Sequence, residues 1–178
     1  MRTITRASIA LIGAIALTGT TALSATAATD PPKDTDATVT VAGGDLTLDV
    51  PATLALTSAG PDAPATGSLG AVTVTDATAS TAGWNASITV SEFTSVVAGA
   101  PTIPATAFSY TASDATVDGA GQGEVTKSGP VTGGASAPVQ TATAAGNNTA
   151  TWTAEVALTI PANALAGDYT GKLTHSLL

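Results

Sequence analysis

His175 is the only imidazole in the 178-residue chain, so any acid–base chemistry that needs a histidine has one place to happen. In a serine-type triad it would be the base between a nucleophilic hydroxyl and an orienting acid. No Gly-x-Ser-x-Gly turn marks a nucleophile, and nothing sets one of the many serines and threonines apart. His175 lies three residues from the end of the sequence, on the inward side of an alternating segment, and reads as a partly buried strand residue. There is no cysteine, which removes thiol catalysis, disulfides and zinc–thiolate sites together. A lone histidine cannot build a zinc cluster.

Carboxylates are the remaining reactive groups. Asp30, Asp34 and Asp36 are close in sequence, but no Asp-x-Asp-x-Asp-Gly loop with a distal Glu follows, which excludes an EF-hand. Asp114 and Asp118 flank a short strand-like segment before Gly119 and read as solvated turn acids. Glu92, Glu124 and Glu155 could supply a glycosidase pair by type. Glu155, however, alternates onto a polar face, and few aromatic rings remain to stack on a sugar. Gly119-Ala120-Gly121-Gln122-Gly123 precedes no helical pattern, so a phosphate cradle is unsupported. Asn85-Ala86-Ser87 and Asn147-Asn148-Thr149 fit the glycosylation sequon as sequence alone. The expectation is a protein that is not an enzyme, with no catalytic, cofactor-binding or metal-ligating residue and no cofactor. A secreted hydrolase is the least favoured reading.

The elements that would carry these residues read as strands. Thr38–Val41, Leu46–Val50 and Val72–Thr75 alternate at period two. Trp84, Ala86, Ile88 and Val90 share one face, opposite Asn85, Ser87, Thr89 and Ser91. Trp152, Ala154, Val156, Leu158 and Ile160 do the same against Thr151, Thr153, Glu155 and Thr159. Tyr169, Leu173, His175 and Leu177 close the pattern. Threonine suits the wet faces because its branched Cβ favours extended backbone. Gly/Pro/Ser/Asp clusters such as 58–67 and 129–138 separate the segments. The one possible helical turn is Ala162–Leu165, between Pro161 and Gly167. The fold class this predicts is all-β, an antiparallel β-sandwich of Ig-like, Greek-key type. Trp84 and Trp152 head equivalent patterns, Trp-x-Ala-x-Ile-x-Val and Trp-x-Ala-x-Val-x-Leu, and are expected in the core. The short connection between 149–160 and 168–177 predicts that these two strands are antiparallel neighbours.

Residues 1–27 read as a secretory signal peptide. Arg2 and Arg6 form a basic start, an apolar run follows from Ala7 to Leu17, and Ala25-Thr26-Ala27 offers small residues at a cleavage site. The apolar run is too short to span a bilayer, which needs about 20 residues, so no membrane span is expected after cleavage. Residues 28–37 read as a linker stiffened by Pro31 and Pro32, and 38–178 as a single domain. Beyond residue 27 there are three lysines against thirteen acids, a net charge of −10. Three scattered cations cannot neutralise a row of phosphates, so nucleic acid is not an expected partner. The final residues Thr174–Leu178 contain no sorting pentapeptide, so retention at a surface is expected to be non-covalent.

Gly83-Trp84-Asn85-Ala86-Ser87-Ile88-Thr89-Val90-Ser91-Glu92-Phe93, followed by Ile103-Pro104-Ala105 and Phe108-Ser109-Tyr110, resembles the central part of WxL-domain surface proteins. The run Thr149–His175 resembles their C-terminal part, with a Trp strand, Ile160-Pro161-Ala162-Asn163, Gly167-Asp168-Tyr169 and a closing strand. Ala86 and Ala154 occupy the positions of the leucines that give the family its name. The likeness covers residues 37–178 and is closest to Ala/Thr-rich secreted forms from high-GC Gram-positive bacteria. The resemblance implies a secreted, cell-surface protein that binds the cell wall non-covalently, with wall glycan (peptidoglycan) or other surface proteins as partners. It also makes Trp84 and Trp152 the family-motif positions, in the core or at a wall-binding surface. The alternative is a structural subunit of a surface assembly built through sheet edges.

Overall fold

A strand that alternates Thr with Val or Ala can bury one face and wet the other, and two such sheets can close a core between their apolar faces. The structure, a computed structural model, follows this plan. It describes residues 30–178 except 59, 120, 122, 144 and 145. The expected signal peptide and the first two linker residues lie outside the described residues. Residues 30–37 are exposed and form no strand, with a Lys33–Asp30 ion pair at 3.1 Å. Residues Thr40–Leu178 cluster as one compact unit.

That unit is all-β and antiparallel. The first sheet runs β1 (Leu46–Asp49), β3 (Pro64–Asp76), β11 (Asn148–Thr159), β6 (Phe108–Ala112) and β9 (Val131–Thr132). Short β2 (Thr57–Ser58) pairs with β3, and β7 (Thr116–Asp118) with β11. The second sheet runs β13 (Leu173–Leu177), β4 (Trp84–Val90), β10 (Ala137–Ala142) and β8 (Val125–Lys127). β5 (Thr94–Ser95) and β12 (Tyr169–Thr170) form a small third pair. The chain crosses repeatedly between the sheets, as in Greek-key sandwiches, and the sheets curl into a half-barrel.

Val72, Val74, Ile88, Phe108, Tyr110, Val139 and Trp152 fill the interior. Trp84 and Trp152 are 2% and 1% exposed and stack with ring centroids 6.3 Å apart. One 3-10 turn, Ala105–Ala107, lies before β6.

Three expectations are corrected. The strands 149–160 and 168–177 are not a hairpin. β11 pairs with β3, β6 and β7, whereas β13 pairs with β4 in the other sheet. The segment between them leaves β11 at Pro161 and detours through β12 against β5. Thr38–Val41 is not a strand: it makes no ladder, and Val39 and Val41 are 85% and 77% exposed. Ala162–Leu165 is a hydrogen-bonded turn, Ala164 N to Pro161 O at 2.9 Å, and not helical.

Gly83 precedes β4 where the backbones crowd. A Cβ there would overlap the Ala142 carbonyl oxygen. Gly83→Ala is therefore expected to destabilise by about 1–3 kcal/mol, the usual cost of overpacking. Gly129→Ala, where a Cβ meets nothing within 4 Å, serves as its control. Urea midpoints measure the difference, and equal midpoints would contradict the close approach.

Candidate functional site

β13 brings His175 to the inner side of the half-barrel, facing Tyr110 of β6. The rings meet edge to face at 5.8 Å, and His175 Nε2 lies 3.4 Å from the Tyr110 hydroxyl. Trp152 Nε1 donates to that hydroxyl at 3.1 Å. The hydroxyl and His175 Nε2 share the remaining contact, with the donor set by the imidazole tautomer. Burial raises the Tyr110 pKa, with the Trp152 hydrogen bond opposing, and burial lowers that of His175. Both groups are held neutral at pH 7, which makes the trio a polar brace across the sheets.

The sign of its pH dependence follows. His175 titrates below its unfolded value of about 6.5. The unfolded chain therefore binds a proton that the folded chain resists, and stability falls as pH drops from about 6.5 towards the lower folded pKa. His175→Gln should flatten the part of the acid limb that begins just below about pH 6.5. Melting temperatures of wild type and variant that fall in parallel there would refute the assignment.

The other candidate groups are dispersed. Glu155 is exposed on β11, while Glu92 and Glu124 are exposed beside β4 and β8 in the second sheet. Asp114 pairs with Lys127 at 3.0 Å, and Asp118 sits on β7 opposite Thr149. No group of three potential metal ligands occurs among the described residues. Within the Gly-rich run, Gly121 N donates to Asn147 O, and Asn148 Nδ2 donates to Gly121 O at 3.2 Å. Of the sequon asparagines, Asn85 donates to Thr141 Oγ1, and Asn147 Oδ1 accepts from Ala79 N.

Sequence reasoning missed the surface that the fold builds best. Where the edge of the first sheet meets β13, residues 50–56 leave a gap, and an apolar groove opens. Three adjoining depressions of about 260, 280 and 270 Å³ form it. Leu54, Leu56 and Phe93 are shared by the first two, and Ile160 and Tyr169 by the second and third. Lys172, Leu173 and His175 line its β13 side.

β13 itself is a sheet edge, bonded only to β4. Asn85 and Leu178 exchange both backbone hydrogen bonds, at 2.7 and 3.0 Å. In an antiparallel ladder such pairs recur every second residue. Ser176 and Thr174 therefore point their backbone groups at β4, while those of Leu173, His175 and Leu177 point away from it. Compared with protein-family models, curated proteins and solved structures, the chain matches none. The only signal visible in sequence was the alternation of Leu54 and Leu56 after Pro51, without a partner to give it meaning.

Proposed function

We propose that the protein is a non-catalytic, secreted surface protein that holds another surface polypeptide, or the wall glycan, by non-covalent contacts. One observation supports this reading most: an apolar groove lies along a sheet edge with unpaired backbone groups. Such an edge recognises an extended polypeptide through main-chain hydrogen bonds, and pockets beside it select alternate side chains. The resemblance to WxL-domain proteins agrees with the surface role. The stacked, buried tryptophans serve the core, which moves any glycan contact to other residues.

Co-sedimentation tests the proposal with two materials, purified peptidoglycan and walls that still carry their surface proteins. Retention on the protein-bearing walls alone is the expected result. Retention on purified glycan would favour the wall as the ligand. Recovery no better than that of an unrelated acidic secreted protein on both materials would remove the proposal.

A further inference from the structure

We propose that the groove accepts the Thr38–Val41 segment of a second copy of this chain, joining copies head to tail by strand donation. This rests on the reading of the groove as a site for an extended polypeptide and names the occupant.

The donor is present in the chain. Thr38-Val39-Thr40-Val41 has a strand's alternation but no ladder, and both valines are largely exposed. Neighbouring valines held in solvent are surface that a partner can bury. The acceptor has the matching features: an apolar groove, and the free N–H and C=O groups of Leu173 and His175 along its wall. Lys172 sits at that wall and is the one lysine without a carboxylate partner among the described residues. Asp34 and Asp36, just before the donor, supply the opposite charge.

The segment does not fill the groove of its own chain: it makes no ladder, and Val39 and Val41 are exposed. Gly44 N bonds to Ala77 O at 2.7 Å, and Ala77 N to Asp45 O at 3.0 Å, so the chain enters the sandwich at the far end of β3. From there β1 runs antiparallel to β3, from Leu46 opposite Asp76 to Asp49 opposite Thr73, towards the groove. Residues 38–41 are not among those lining the groove, so a contact between donor and acceptor is heterologous, one copy to the next.

Light scattering of the purified protein across a wide concentration range should show oligomers that grow with concentration. Val39→Asp/Val41→Asp should remain monomeric with an unchanged melting temperature, because both side chains are exposed. Leu173→Pro removes an outward N–H at the groove wall, costs no bond to β4, and should also remain monomeric. Mixing the two variants should give a dimer and nothing larger, since one keeps the acceptor and the other the donor. A peptide of residues 36–43 should bind the double-Asp variant, while a scrambled peptide should not; this arm stands if Leu173→Pro fails to fold. A wild-type monomer at every concentration, or a double-Asp variant that assembles like wild type, would overturn the proposal. Protein-bearing walls that retain a chain unable to take this peptide would overturn self-donation and leave the surface-binding role standing. A chain that polymerises but is retained on no wall would do the reverse.

Discussion

Trp152→Ala should cost about 3–5 kcal/mol, the range for deleting a large buried ring. A domain of ordinary stability has about 5–15 kcal/mol in total, so the variant should melt far lower or fail to fold. Trp152 is at the centre of the first sheet on β11, stacked on Trp84 from the second. Its loss leaves a cavity between the sheets and takes the indole N–H from the Tyr110 hydroxyl. Phenylalanine separates these effects. Trp152→Phe keeps most of the stacking surface but strips Tyr110 of its donor. Trp84→Phe removes an indole N–H that is buried without a partner. Such an unpaired group carries a penalty of about 1–3 kcal/mol, so its removal offsets part of the lost ring area. Urea unfolding should therefore rank Trp152→Phe below Trp84→Phe. The reverse order would show that the Trp152–Tyr110 hydrogen bond contributes little.

Alternation identified which residues point inward, because that property is local to each strand. Trp84, Ala86, Ile88 and Val90 on β4, and Trp152, Ala154, Val156 and Leu158 on β11, are all buried as their spacing predicts. Pairing is not local. β11 and β13 carry the same inward pattern whether they share a sheet or face each other across a sandwich, so a short connection was a poor guide. β10 was hidden for a different reason. A bulge between Pro138 and Gln140 puts Val139 and Gln140 inward consecutively, which breaks period two. Thr38–Val41 shows the converse: perfect alternation makes no strand without an edge to pair with. The groove was illegible because it exists only where residues 50–56 and β13 are brought together, and His175 lines it as well as bracing Tyr110.

Deleting residues 168–178 should unfold the domain or drive it into aggregates. β13 pairs with β4 from Leu173 opposite Val90 to Leu177 opposite Ala86. Leu173, Leu177 and Tyr169 pack, partly buried, against the core. Full burial of such side chains contributes about 1.5–3 kcal/mol each, and half-burial about half of that. The deletion also removes two complete ladders, β12 with β5 and β13 with β4, and turns β4, with its four buried inward residues, into an unprotected edge. A softer variant locates the damage. Leu173→Ala/Leu177→Ala loosens β13 and keeps the chain intact. Hydrogen exchange should then accelerate at Ser87 and Thr89, the β4 amides whose positions exchange bonds with Ser176 and Thr174. The amides of Ala86 and Ile88 face β10 and should stay protected. So should those of β11, which is flanked by β3 on one side and by β6 and β7 on the other. Early exchange along β11 instead would mean that β13 supports the first sheet and that the two-sheet partition is wrong. A truncated chain that stays monomeric and melts cooperatively would mean that β4 needs no partner on that side.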